Sequence, residues 1–377
     1  MLSRRHVGGA DSTMPQELRL PPDPSPSSGP SVASIGAAGG SDTLLSDWRE
    51  RALRLETEVR HAVIGQARVI RLITIAVFAC GHVLLEGDVG VGKTTLLRAF
   101  ARAIGGAYER IEGTVDLMPG DLVYYTYVTE SGQPRVDPGP LLKHGERLAV
   151  FFFNEINRAR PQVHSLLLRA MAERSVTAFN RDHVFPHLTV FADRNRIERE
   201  ETFEISSAAR DRFMLEVLIE TPADAGARRQ LVFDPAFHDT DALIGRVAPA
   251  VVPYAELNAA GALIQHEIRA SEALEHYALE LWRATRDPHS FGIALDGVPM
   301  EQLILAGASP RGMSMLLRAA RVAAWLGGRS FVTPEDIQSV FFETLAHRIF
   351  FNPVYELRRT ELARSLIDHI LQKVAAP

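Results

Sequence analysis

Short apolar runs alternate with helix-length periodic stretches through the middle of the chain, and this alternation predicts a parallel sheet covered by helices. The expected strands are His82 to Glu86, Ala107 to Glu112, Leu148 to Phe153, Leu188 to Ala192 and Phe213 to Glu220. Upstream, Leu45, Trp48, Ala52, Leu55 and Val59 recur at spacings of three and four, laying one apolar stripe along a helix capped by Ser41 or Asp42. Val63-Ile64-Gly65-Gln66 interrupts the pattern, and a second helix follows to Cys80. Two hairpins are expected as inserts. One lies near 121–143, where Tyr124 to Val128 alternate before the turn Glu130-Ser131-Gly132-Gln133-Pro134. The other lies near 176–186, turning at Asn180-Arg181-Asp182.

After Thr221-Pro222 the strands are expected to stop and the chain to become helical. Leu274, Tyr277, Ala278, Leu281 and Trp282 form one face, and a helix through Leu316, Leu317, Ala320, Ala324 and Leu326 ends at Gly327-Gly328. Thr333-Pro334-Glu335-Asp336 has the chemistry of a helix start, with a hydroxyl cap, proline first and acids in the first turn. A last amphipathic helix runs through Leu362, Leu366, Ile367, Ile370 and Leu371; its amphipathicity fits either capping the lid or binding a partner, and capping is the expected role. The reading is therefore α/β: a tail over 1–40 rich in Pro, Gly and Ser that buries too little to order, a core over 41–221, a helical lid over 222–348 and an extension over 349–377.

The chemistry concentrates at Gly87-Asp88-Val89-Gly90-Val91-Gly92-Lys93-Thr94, a glycine, four residues, then Gly-Lys-Thr, placed between a strand and a helix. Inward backbone N–H groups in such a loop surround a polyphosphate, and the next helix aims its positive end at it. Lys93 is placed to reach the outer phosphates, Thr94 to hold Mg²⁺, and Thr95 lies beside them. Hydrolysis also needs a metal support and a group to orient water, commonly at the end of another apolar strand. Leu148 to Phe153 supplies that strand. Glu155 is placed to polarise the attacking water, while Asn154 stands where an aspartate is expected to support the metal. Asparagine can accept a hydrogen bond from metal-bound water but brings no negative charge, so weaker Mg²⁺ binding or slower turnover is expected.

Composition narrows the remaining classes. The 377 residues suffice for two or three domains. Cys80 is the sole cysteine, which excludes a disulfide framework and fits a buried thiol in a reducing, cytoplasmic setting. The longest apolar run, near Ile73 to Leu85, contains Gly81 and His82 and is too short to span a bilayer, so no membrane insertion is expected. Net charge is −5, and the only lysines are Lys93, Lys143 and Lys373. Arginine density is thus a chain-wide bias and poor evidence for nucleic-acid binding. His183 and His187 stand four apart, but Pro186 prevents a shared helical face and no metal site is expected from them.

Gly87 to Thr94, the strand ending in Asn154-Glu155-Ile156-Asn157-Arg158-Ala159, Asp193-Arg194-Asn195, Asp211-Arg212-Phe213 and Gly307-Ala308-Ser309-Pro310-Arg311 together resemble the MoxR family of AAA+ ATPases, in order, from about Val63 to Arg348. The resemblance implies a P-loop core with a five-stranded parallel sheet followed by an all-α lid, a hairpin inserted in helix 2, a hairpin before sensor 1, and a homo-oligomeric hexameric ring. It implies ATP and Mg²⁺ as ligands. Asn195 matches sensor 1, Arg212 the arginine finger with Arg210 as competitor, and Arg311 matches sensor 2, reaching from the lid to the nucleotide. Val63, Ile64 and Gly65 match the segment that packs on adenine. Asp193-Arg194-Asn195-Arg196 departs from the family's uncharged pattern. The implied function is chaperone-like remodelling of a partner, with a von Willebrand A-type domain protein as client. Alternation of Tyr124, Tyr125 and Tyr127 in a strand favours a hairpin face over stacking on bases, and were the first hairpin to lie at a ring pore they could touch a polypeptide. The alternative is a catalytically weak nucleotide switch, with Asn154 as its cause.

Overall fold

The computed structural model describes residues 38–195 and 203–377. The expected tail therefore lies almost wholly outside the described residues, as does Arg196. Helix α1 (Ala38–Ala62) begins earlier than the sequence pattern indicates, so Ser41 and Asp42 lie in its first turns rather than capping it. Its stripe of Leu45, Trp48, Ala52, Leu55 and Val59 is buried, as the spacing requires. Helix α2 (Ala67–Phe78) follows, and Cys80 forms the turn after it at φ +51° rather than extending it.

The core then alternates β1 (Val83–Gly87), α3 (Lys93–Ile104) and β2 (Ala107–Glu112). The first hairpin comes next, β3 (Tyr124–Val128) with β4 (Pro134–Pro138), and then β5 (Leu148–Asn154) and α4 (Pro161–Glu173). The second hairpin is β6 (Ser175–Ala178) with β7 (Arg181–Val184); β8 (Thr189–Arg194), α5 (Ser207–Arg210) and β9 (Leu215–Ile219) complete the core. Five strands form one parallel sheet in the order β2-β5-β8-β1-β9. Alternation along β5 sends Val150 and Phe152 into a core shared with α1, α2 and α3, and Phe151 and Phe153 into a second core under α4. Each fully buried phenylalanine contributes ~1.5–3 kcal/mol, so three in succession pin this strand and fix where Asn154 and Glu155 emerge.

Both hairpins occupy the expected places, with two differences. The first is flanked by 3₁₀ turns, Pro119–Leu122 and Gly145–Arg147, and not by two halves of a helix. The second turns at Phe179 and Asn180, both left-handed at φ +53° and +57°, one step earlier than expected. That pair of positive φ values matches the twist of a two-residue hairpin. Every residue of β3 is exposed, so Tyr124, Tyr125 and Tyr127 do not form one packed face. Tyr127 donates to Asp137 at 2.9 Å, and Tyr124 meets Phe179 of the other hairpin at 5.3 Å between ring centroids.

The C-terminal part holds α6 (Ala225–Phe233), α7 (Thr240–Gly245), α8 (Leu257–Glu267), α9 (Glu272–Arg286) and α10 (Met300–Leu303). These are followed by β10 (Ile304–Ala306), α11 (Pro310–Leu326), α12 (Pro334–Leu345), β11 (Phe350–Phe351) and α13 (Arg359–Lys373). Strands β10 and β11 pair antiparallel, so strand structure does not stop at Pro222; the ladder is short because helices bound both of its strands. Thr333 and Asp336 form the reciprocal cap at the start of α12. Leu362, Leu366, Ile367 and Ile370 of α13 are buried in the same core as α9 and α12. Trp325 of α11 donates to Leu45 O at 3.0 Å and packs on Phe78, which locks the lid against α1 and α2.

Candidate active site

The loop after β1 is built by its glycines. Gly90 and Gly92 sit at φ +83° and +89°, where a side chain would strain the backbone. A Cβ on Gly87 would come within 2.5 Å of Ile219 O, so β9 closes against the loop's base. Gly92 leads into α3, whose first turn begins with Lys93. Asp88, Val89 and Gly90 are exposed, Val91, Thr94 and Thr95 are half-buried, and Lys93 is buried. A phosphate chain fits this arrangement: an open glycine turn, a helix start and one buried cation.

Lys93 Nζ donates to Gly87 O at 2.8 Å and to Asn195 Oδ1 at 2.5 Å, and pairs with Asp193 Oδ2 at 3.1 Å. Asn195 follows the end of β8, the strand between β5 and β1, and so bridges the two halves of the site. Its Nδ2 donates to Glu155 Oε1 at 3.0 Å, and Arg158 donates to Glu155 Oε2 at 3.0 Å. Glu155 adopts a left-handed backbone at φ +53°, ψ +49°, a conformation costing about 1–2 kcal/mol for a residue with Cβ. Its N–H donates to Asp193 Oδ1 at 2.6 Å, which offsets that cost. A Cβ on Gly113 would lie 2.1 Å from Glu155 O, so glycine there makes room for the turn. Burial pushes the Asp193 carboxyl above the usual range, against the pull of Lys93.

Asn154 is buried and its amide donates to Glu112, its register partner on β2. Its Oδ1 remains available as an acceptor for metal-bound water. Among the described residues no group of three or more His, Cys, Asp and Glu could hold a metal. The donor set suits Mg²⁺, which keeps several waters and relies on substrate phosphates and a single hydroxyl such as that of Thr94. Val63, Ile64 and Gly65 lie at the same edge: Gln66 donates to Glu220 O at 2.6 Å, and a Cβ on Gly65 would meet Pro222 at 2.6 Å.

Arg212 and Arg311 stand elsewhere. Gly81 and His82 precede β1, and Arg212 precedes β9; with these residues Arg174, Arg311 and Arg318 line a cleft of about 330 Å³ at the strands' N-terminal edge. The P-loop leaves the other end of β1, four residues and about 13 Å along the strand. In this structure Arg311 therefore lies away from the P-loop of its own chain. It pairs instead with Asp211 Oδ2 at 2.9 Å. Asp211 also accepts from Ser309 at 2.7 Å and from Arg348 at 3.1 Å. Arg348, 1% exposed, additionally donates to the carbonyls of Asp211, Phe213 and Met214. This clamp ties the Asp211-Arg212-Phe213 segment to the Ser309-Pro310-Arg311 segment. Burial lowers Arg348 to about 10 despite Asp211. Arg210 is directed away from the cleft, over the ring of Phe350 at 5.7 Å.

Sequence reasoning missed Asp193, Asp211 and Arg348 and left Arg194 without a role. Arg194 bridges Glu86 at 2.9 Å and Glu216 at 2.6 Å across three strands beneath the loop. The acids Glu86 and Glu216 within two expected strands were a signal for it, since a cation inside a sheet needs partners on the neighbouring strands.

Residues 82–215 match the family model for the ATPase family associated with various cellular activities, and residues 300–370 match the AAA lid domain. The chain is 60% identical over 336 residues to Protein MoxR of Methylorubrum extorquens, covering 89% of this chain and 98% of that one. It is 30% identical to Chaperone MoxR1 of Mycobacterium tuberculosis over 92% of this chain and 88% of the relative. A crystal structure of a candidate ATPase from Cytophaga hutchinsonii superposes with a TM-score of 0.76 at 29% identity, covering 90% and 98% of the two chains. With a P-loop sheet, a helical lid and relatives matched over nearly their whole length, the chain belongs to the MoxR family of AAA+ ATPases.

Proposed function

We propose that the chain is a Mg²⁺-dependent ATPase that works as a cytoplasmic homo-oligomeric ring, of six subunits by resemblance, and that its turnover remodels, assembles or activates a partner protein. The observation that carries the reading is the division of one site between two ends of the sheet. Lys93, Asn195 and Glu155 meet at the P-loop end, whereas Arg212 and Arg311 share a cleft at the other. Head-to-tail association brings unlike ends together and closes into a ring when the rotation allows. In that arrangement Glu155 orients water, Lys93 and the loop amides neutralise phosphate charge, Thr94 and Asn154 support the metal, and the neighbour's Arg212 and Arg311 stabilise charge developing in transfer. The partner is a protein, with a von Willebrand A-type domain protein as the first candidate; the name of the mycobacterial relative supports a chaperone-like role.

Turnover per subunit is expected to rise with protein concentration until assembly is complete, because the arginines come from a second copy. Glu155→Gln should lower it by about 10²-fold or more. Wild-type turnover no greater than that of Glu155→Gln, at every concentration that permits assembly, sinks the hydrolysis reading. A nucleotide switch is the second reading, favoured by the uncharged Asn154 and its engagement with Glu112. Asn154→Asp separates the two: a change of less than about tenfold supports the ATPase, and a large gain from a near-zero baseline supports the switch.

A further inference from the structure

The Lys93 ammonium carries three N–H donors, and in this structure Gly87 O, Asn195 Oδ1 and Asp193 Oδ2 use all of them. Asp193 is 1% exposed and cannot swing into water. Its second oxygen holds the N–H of Glu155, the residue whose left-handed turn aims the candidate water-orienting carboxylate. One buried carboxylate thus joins the phosphate-binding cation to the hydrolytic strand end. It stands on β8, one strand away from the neutral Asn154.

We propose that Asp193 is a positioning residue of the nucleotide site: one oxygen fixes the Glu155 backbone, and the other occupies Lys93, so that incoming phosphates compete with this carboxylate for the same ammonium. The inference rests on the nucleotide-binding reading above. A polyphosphate meets a cation already neutralised and a fixed negative charge beside it, which weakens binding of nucleotide and speeds release of ADP. The charge missing at position 154 is therefore present in the site, placed where it acts on Lys93. Asparagine at 193 keeps an acceptor for the Glu155 N–H and removes only the charge, whereas alanine removes both.

The test is calorimetric titration of the full chain with ADP in Mg²⁺ buffer, alongside steady-state turnover. Asp193→Asn is expected to bind ADP about tenfold more tightly than wild type, equivalent to ~1.4 kcal/mol. Asp193→Ala should show similar tightening together with a kcat at least about tenfold below that of Asp193→Asn, since the Glu155 turn loses its acceptor. A folded Asp193→Asn that binds ADP no more tightly than wild type overturns the proposal; a wild type that binds no ADP instead overturns the nucleotide reading itself. Melting curves give an independent measure that does not require Asp193→Asn to fold. Lys93→Met leaves Asp193 as an orphan buried charge, so the pair Lys93→Met/Asp193→Asn should melt higher than Lys93→Met alone. A lower melting point for the pair contradicts the assigned contact.

Discussion

The two ends of the sheet use charge in opposite ways. At the P-loop end the buried and half-buried charges pair within the chain: Lys93 with Asp193, Glu155 with Arg158, and Arg194 with Glu86 and Glu216. At the other end Arg174, Arg212, Arg311 and Arg318 surround one cleft, and Asp211 pairs with Arg311 while Arg348 holds it from behind. The first end is an internally paired network; the second carries surplus positive charge around a cleft. A surplus of that kind is stable where water or a negatively charged partner reaches it. On the function proposed above, the loop end receives the nucleotide and the arginine end meets the corresponding site of a neighbouring subunit.

Breaking the arginine end should have the largest effect. If Arg212 acts as proposed on the transition state of a neighbouring subunit's site, Arg212→Ala is expected to reduce turnover by about 10³-fold or more while leaving ADP affinity within a few-fold. Mixing Arg212→Ala with Glu155→Gln subunits should recover part of the lost rate, since some interfaces then pair an intact loop with an intact finger. Absence of any recovery, with assembly verified by scattering, would place Arg212 in its own chain's site and erase the division between the two ends.

A step down, the clamp behind that end can be loosened. Arg348→Met leaves Asp211 with only Arg311 and the Ser309 hydroxyl and removes donors from the carbonyls of Phe213 and Met214, so a loss of about 3–5 kcal/mol in unfolding free energy is expected. Urea titration measures it. A loss below about 1 kcal/mol would show that the loop carrying Arg212 is held by packing and not by the arginine.

The smallest effect comes from His82, which lines the same cleft. Its Nδ1 accepts from Val190 N at 3.0 Å and its Nε2–H donates to Met171 O at 3.2 Å, so the ring is buried neutral, and burial lowers it to about 4. The unfolded chain takes up a proton on this imidazole near pH 6.5 and the folded chain only near 4. Between those values the unfolded state binds more protons, so stability present at neutral pH is lost as pH falls from about 6.5 towards 4. The full effect is ~3 kcal/mol. His347, lowered by burial and by Arg348, adds in the same direction. Denaturation midpoints at pH 7 and pH 5 compared for wild type and His82→Gln check the sign: the variant should lose less on acidification.

Legibility in the sequence followed the range over which each signal acts. Strands β1, β2, β5, β8 and β9 were read to within one or two residues because apolar runs and glycine turns are local. The turn at Phe179-Asn180 was misplaced by one residue, since Phe is an uncommon host for positive φ and its backbone is held by pairing of β6 with β7. Cys80 looked helical from its apolar neighbours, yet Arg174 and Arg318 draw the carbonyls of Cys80 and Ala79 out of the helix.

By itself the sequence determined the glycine loop after β1, the strand that delivers Glu155 and the family to which both belong. Each is a pattern of consecutive residues whose backbone preferences are set within one turn or one strand. Only the tertiary structure decided that Arg311 stands with Arg212 at the far edge and that Arg348 fastens Asp211 from 137 residues away. Only it showed that Asp193 reaches Lys93 across 100 residues (193 − 93). Those contacts depend on which strands become neighbours and on which end of each strand a loop departs. They are long-range choices, made by burial of the two cores and not by any local motif.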